Sequence, residues 1–399
     1  MIAADTDRQL ETMEQPLSAT APGGRFTLGL PSGLGCGERR FPLTPEGAAL
    51  LAEKGVDVKV EEGAGCAIHY TDAAYARAGA KIVTRAETLR ADVVISLAAL
   101  SPAEVSGMRR GSVLLTLGQS VMDNAGSAAA LLRKGVLTVA VERIEDRGSN
   151  RPIADILHEI DGCASMAIAS ALLTDPVHGK GILLGGVTGI VPCEVTVLGS
   201  GMGAIAAAHN ALGLGATVRM FDNDLYSLRQ AARVLRHEVI GSALHSHVLE
   251  SSLRTADVVV ATPMSSPFVA SSDLVSVMKR RVLVFDLNPC PGRVFPSLST
   301  FNLGEIAERE QAATTDRACY VNVGCQVPRT AAMALSNAIV GFAGELMSMT
   351  SAHKAESVFL TAPGMRPAVL AMFGKVVDRE LARILGVSCM DINLFTSLS

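Results

Sequence analysis

Residues Val195 to Asp224, VTVLGSGMGAIAAAHNALGLGATVRMFDND, set glycines, a small-residue helix and an acid in an order that can hold a pyrophosphate and a ribose. Gly199 permits a tight turn after the apolar strand, and Gly201 lets the backbone approach a phosphate. Ala204, in the third position of G-x-G-x-x-A, lets helix and strand pack closely. The helix opening at Met202 and Gly203 offers unpaired N–H groups and a positive dipole end to the phosphates. Asp222 closes the second strand, where a carboxylate accepts from both ribose hydroxyls and repels a 2′-phosphate, and Asn223 stands beside it. The pattern implies NAD rather than NADP.

Three groups elsewhere could move a proton or fix a substrate. Asp155, His158 and Asp161 recur every three residues in DILHEIDG, which puts them on neighbouring faces of a helix. An imidazole flanked by carboxylates has its charged form favoured and its tautomer fixed, as a proton donor near neutral pH requires. The same residues also fit an acid-rich helix N-terminus with a satisfied histidine. Arg40 follows the first strand at the edge of a sheet, where its fork suits a carboxylate, although an exposed arginine in a polar loop reads the same way. Asp286 and Asn288, in RVLVFDLNPCPG, either order a loop beside the nicotinamide or cap that loop.

These residues need a frame, and the alternation of apolar runs with helical patterns supplies one. FTLGL, VDVKV, DVVIS, SVLLTL and VLTVAV are separated by helices, one opened by Thr44-Pro45-Glu46. A long helix is expected from Ile153 to about Leu173, then ATVRMF, a strand near Leu244 to Val248, DVVVAT and RVLVFDL. Strands spaced by single helices run parallel, so the fold class is α/β with two doubly wound, Rossmann-like units and a cleft between them. The expected division is a disordered extension over residues 1–24, a discontinuous substrate domain over 25–152 plus 318–399, and a dinucleotide domain over 153–317.

Bulk properties exclude several classes. At 399 residues the chain exceeds the usual limit of one core. A net charge of -4 without a basic stripe argues against nucleic acid, and no continuous apolar run has the length of a membrane span. The eight cysteines lie apart, without C-x-x-C or metal-ligand spacing, and read as reduced thiols of a cytoplasmic protein with no metal site.

Beyond about residue 25 the chain resembles the alanine dehydrogenase and proton-translocating transhydrogenase alpha-subunit family. The resemblance rests on ERRFPLTP at Glu38–Pro45, VEEGAG at Val60–Gly65, GKGILLGGV at Gly179–Val187, the fingerprint, and Val327-Pro328-Arg329-Thr330. It implies the fold, NAD binding and a homo-oligomer, dimer or hexamer. It also makes Arg40 the clamp on a substrate carboxylate, with Asn322 and Arg329 lining the cleft. The departures matter as much. The family's catalytic lysine and histidine align with Ala98 and Gln119, and between residues 61 and 133 the only lysine is Lys81 and the only histidine His69. A family aspartate is expected near Cys290, and His158 replaces a serine near the nicotinamide.

An alanine donates no proton and a glutamine does not titrate, so ordinary alanine dehydrogenase activity is not expected. The expected activity is NAD(H)-dependent oxidoreduction of a carboxylate-bearing amine, imine or oxo acid in specialised metabolism. His158 is then the acid/base group, Gln119 a neutral donor, and Asp155 a flanking carboxylate. Two other classes stay open. A transhydrogenase-like nucleotide-binding subunit would use no organic substrate, and its nicotinamide loop carries an aspartate matching Asp155. A lyase or cyclodeaminase would oxidise and re-reduce one substrate on bound NAD.

Overall fold

The computed structural model describes residues 26–33, 37–342, 344 and 363–395; the extension expected over 1–24 lies outside the described residues. Two sheets form. In the first, β1 (Thr27–Leu30), β2 (Asp57–Glu61), β3 (Lys81–Val83), β4 (Val93–Ile95), β5 (Val113–Thr116) and β6 (Leu137–Ala140) run parallel. In the second, β7 (Glu194–Leu198), β8 (Thr217–Phe221), β9 (Ile240–Ser242), β10 (Val258–Ala261), β11 (Leu283–Asp286), β12 (Thr300–Asn302) and β13 (Cys319–Val321) do the same. A hairpin of β14 (Val369–Met372) and β15 (Lys375–Val376) then extends the first sheet antiparallel to β6. The orders are β15-β14-β6-β5-β4-β1-β2-β3 and β12-β13-β11-β10-β7-β8-β9.

Central strands such as VVI in β4 and VVVA in β10 are buried along their whole length, as parallel strands covered by helices on both faces must be. In each sheet the first strand of the unit has neighbours on opposite sides that are reached by opposite crossovers. The switch points fall between β1 and β4 and between β7 and β10, and loops at the carboxyl ends of such strands form the ligand crevice.

Three parts of the fold differ from the sequence expectation. Residues near Leu244 to Val248 are not a strand: β9 ends at Ser242, and a helix runs over Ser246–Thr255, burying Leu249 and Leu253. The short runs β3 and β12 and the β14–β15 hairpin carry too few residues for a periodic signal. The division at 317/318 is corrected, because Cys319 of β13 is the register partner of both Val284 in β11 and Thr300 in β12, so β13 belongs to the second sheet. The chain returns to the first unit only with the helix Pro328–Gly341, whose Ala332, Leu335 and Ile339 enter the first core.

The linking helix Pro152–Thr174 serves both units. Ile153 and Leu157 enter the core of the first sheet, while Ala164, Met166, Ala169 and Leu173 enter that of the second. It is long and apolar enough to cross a membrane, but its apolar residues are divided between these two cores. Halfway along, Gly162 crosses the helix Met202–Gly213 so closely that a Cβ there would overlap the Gly203 carbonyl and lie 2.9 Å from the Ala206 Cβ. This crossing fixes the first half of the helix, with His158 and Asp161, against the start of the second helix.

Candidate active site

The turn after β7 has the geometry a dinucleotide needs. Gly199 has φ +109°, and a Cβ there would strike the Thr262 hydroxyl, so no other residue closes this turn without strain. Gly201 is extended and has nothing within 4 Å of where a Cβ would sit, leaving its face open. No side chain caps the helix that begins at Met202, so its first-turn N–H groups are available to a phosphate. Met202 is 40% exposed at this mouth, while Gly203 and Ala204 are buried.

Asp222, 3% exposed, accepts from the Ser200 hydroxyl at 2.7 Å through Oδ2 and from the Asp224 N–H at 2.9 Å through Oδ1. It therefore ties the phosphate turn to the end of β8, and each oxygen keeps a lone pair for a ribose hydroxyl. Asn223 is exposed, and its side-chain oxygen accepts from the Leu244 N–H at 3.2 Å. These residues fit a nicotinamide dinucleotide.

A cavity of about 520 Å³ opens between the two sets of strand ends. The first unit lines it with Glu38, Arg40, Ala98, Gln119, Asp123 and Glu142, the linking helix with His158 and Asp161, and the second unit with Asp286, Asn288 and Asn322. His158 connects it to the dinucleotide turn, since its carbonyl oxygen lies 3.1 Å from where a Cβ on Gly203 would stand.

Asp161 is the group with useful acidity. Burial pushes its carboxyl up to about 6, against the opposing pull of the Arg40 charge and of the Gly324 N–H, which donates to Oδ1 at 2.8 Å. His158 goes the other way. Burial lowers its pKa and the Asp155 charge restores only part, so the imidazole is neutral near pH 7, and the expected charged, carboxylate-flanked histidine is corrected. Asp155 is not among the cavity-lining residues and acts on His158 through its charge alone.

Arg40 lines the cavity, but its fork is already engaged. Nε and Nη2 donate to the two oxygens of Glu38 at 2.9 and 2.7 Å, in a pair whose side chains are each 10% exposed. Burial opposes the charge on both; the opposing charges and hydrogen bonds, chiefly those of the partner, together outweigh it, holding the Glu38 carboxyl below the usual range and the guanidinium charged. Cys325 Sγ lies 3.1 Å from Glu38 Oε1 and 2.8 Å from Asn322 Oδ1, so its single S–H is shared between the first unit and the segment after β13. Asn322 thus sits in the cavity wall with φ 55°, its amide also donating to Asn302. Arg329 does not line the cavity: it is exposed, and its guanidinium stands 4.8 Å over the Tyr70 ring, which corrects its expected place in the cleft.

Gln119 spans the cleft. Its Nε2 donates to Asp123 at 2.5 Å and its Oε1 accepts from Cys290 Sγ at 2.9 Å, so a neutral amide–thiol pair joins the units. Asp286 takes the loop-capping alternative. Its Oδ1 accepts from the Asn288 N–H and side-chain amide at 3.1 and 2.7 Å, and its Oδ2 from the Gly292 N–H at 2.8 Å.

Glu142 is the residue that sequence reasoning passed over. It stands two residues past the end of β6, and an acid just past the carboxyl end of a cleft-facing strand is the signal that could have found it. Its Oε1 accepts from the Gly118 N–H at 2.9 Å, while Oε2 is buried with no hydrogen-bond partner.

Two doubly wound units, a glycine turn for a dinucleotide and a carboxyl titrating near 6 in the intervening cavity define a dinucleotide-dependent oxidoreductase architecture. The chain belongs to the alanine dehydrogenase/PNT family: the family's N-terminal domain matches residues 29–159 and its C-terminal domain residues 165–379. It is 28% identical over 368 residues to an alanine dehydrogenase of Mycobacterium tuberculosis, covering 90% of this chain and 97% of that protein. In structure it is similar to an L-alanine dehydrogenase, with a TM-score of 0.77, 22% identity, and coverage of 90% and 99% of the two chains. A transhydrogenase from Sinorhizobium meliloti shares the fold with a TM-score of 0.68, 20% identity, and coverage of 88% and 99%.

Proposed function

We propose that the protein is an NAD(H)-dependent oxidoreductase acting on a carboxylate-bearing amine, imine or oxo acid, with Asp161 as its acid/base group. The observation that carries this reading is a carboxyl that titrates at about 6 in a cavity whose described lining holds no lysine. The turn at Gly199 to Gly203 would hold the cofactor, which would supply the hydride donor or acceptor for the carbon bearing nitrogen or oxygen. Asp161 exchanges the proton that accompanies that transfer, as a general acid or base poised near neutral pH should. Arg40, held rigid by Glu38, keeps one guanidinium nitrogen, Nη1, for the substrate carboxylate. Gln119 and Cys290 join the cavity walls without adding charge, which suits an iminium that already carries its own.

The same reading includes a cytoplasmic homo-oligomer, and exposed apolar residues at Val177, Leu183, Val187, Ile190 and Val191 offer a surface for assembly. The test is purified protein with NADH and a panel of 2-oxo acids, each with and without amines, followed at the nicotinamide absorbance. The expected result is turnover on an imine-forming pair other than pyruvate with ammonia. Ordinary dehydrogenase rates on pyruvate and ammonia would reject the altered site. NADH binding with no turnover on any substrate would favour the transhydrogenase-like alternative.

A further inference from the structure

A second cavity, of about 290 Å³, lies at the other end of the second unit. The cleft takes Asp286 and Val321 from the carboxyl ends of β11 and β13; this cavity takes Arg281 to Leu283, Ala318 and Tyr320 from around their amino ends. The linking helix ends against it with Leu172 and Leu173, and the helix Ile306–Thr314 closes another side with Ala312. No described residue lines both cavities. Among its apolar walls stands one buried polar group, the Tyr320 hydroxyl. Tyr320 is 5% exposed, and its ring stacks on Phe285 with centroids 5.4 Å apart. The hydroxyl has no hydrogen-bond partner among the described residues, yet it is not sealed in the interior, so its access to solvent runs through the cavity. Buried tyrosines ordinarily find a partner for this group. Burial pushes the phenol up to about 12, so it keeps its proton and stands as a donor.

The charges around it do not balance. Lys180 in the wall and Lys279 behind it share one carboxylate oxygen, Asp257 Oδ1, each at 2.9 Å, which leaves one positive charge uncompensated. Arg281 adds a second: its Nη1 donates to the Gly179 carbonyl at 2.8 Å, and it has no carboxylate partner among the described residues. The other cations are matched, Arg280 by Asp316 and His178 by Asp175. The carboxyl-terminal ends of the two helices bring about half a negative charge each, so a positive charge of roughly one remains. We propose that this cavity is a second ligand site, for a small organic acid whose carboxylate meets Lys180 and Arg281 and whose apolar body carries an acceptor to the Tyr320 hydroxyl. A remaining charge near one suits a singly charged carboxylate better than a doubly charged phosphate, and the volume is at the lower end of small-molecule sites. Binding here does not depend on which reaction the cleft performs.

The experiment titrates the full chain, loaded with NAD, by calorimetry with 4-acetylbenzoate, whose carboxylate and ketone stand at opposite ends of a ring, and with its neutral amide, 4-acetylbenzamide. Wild-type protein should bind the anion at least about fivefold more tightly. Arg281→Gln, at an exposed position, should bring the two probes within about twofold of each other. Tyr320→Phe, which keeps the ring on Phe285, should weaken the anion about fivefold. Equal binding of the probes by wild type overturns the proposal, and so does an affinity for the anion that either substitution leaves unchanged, as it would for an anion held in the cleft. If Tyr320→Phe fails to fold, a wild-type crystal soaked with 4-acetylbenzoate takes its place: the ketone should lie within hydrogen-bond reach of the Tyr320 hydroxyl, and a probe found only in the cleft is equally fatal. Inorganic phosphate that displaces the probe at equal concentration would overturn the choice of a carboxylate.

Discussion

Replacing Asp161 with Asn should stabilise the protein while disabling it, and the size of the gain follows from its acidity. An acid whose folded pKa lies above its unfolded value weakens the fold at high pH. As pH rises from 3.8 to about 6, the unfolded chain releases its proton before the folded one, so the penalty grows across that window and is complete above it. A shift of about two pH units at ~1.4 kcal/mol each puts the full penalty near 3 kcal/mol. Asn has no charge to bury, and its oxygen can still accept from Gly324. Urea unfolding of the two proteins should therefore show the variant more stable by ~3 kcal/mol at about pH 7.5, and by roughly half that at about pH 5. In the same preparations, turnover should fall by at least about a hundredfold. A stability difference that does not change with pH, or a less stable variant at pH 7.5, would refute the buried-acid argument. Full activity in the variant would return the proton-transfer role to another group.

Other substitutions test neighbouring parts of the design. Gly162→Ala pushes a methyl into the Gly203 carbonyl and the Ala206 Cβ, neither of which can yield freely, and should cost about 1–3 kcal/mol in thermal unfolding. Gly199→Ala, at φ +109° against Thr262, should weaken NADH binding by at least about tenfold in fluorescence titration. Glu38→Gln leaves Arg40 with an uncompensated charge in the wall and should cost about 3 kcal/mol by denaturant melts. Arg329→Ala removes a side chain that lies over Tyr70 outside the cavity, so KM should stay within about twofold.

The dinucleotide turn was written locally. Gly199, Gly201, Ala204 and Asp222 act through their own backbone freedom, size or charge at fixed spacing, so strand, turn, helix and acid could be read in order. The same holds for the doubly wound plan, because parallel strands buried on both faces leave continuous apolar runs. Which sheet a short strand joins was not local. Cys319 to Val321 has too few residues for a pattern, and only pairing with β11 and β12 places it in the second unit.

The proton chemistry belongs to tertiary structure almost entirely. Asp155, His158 and Asp161 look equivalent at helical spacing, but only one is both set in the cavity and raised into the working range. What separates them is how much water each loses and which charge it meets, and the latter is supplied by Arg40 from more than a hundred residues away. Glu38 engages that arginine, Cys290 finds Gln119 across the cleft, and Glu142 is left with an unpaired oxygen, all because distant loops converge at the ends of two sheets. The sequence by itself determined the parts whose physics is confined to a few consecutive residues. The fold alone decided solvation and long-range charge, because both depend on what the rest of the chain brings near.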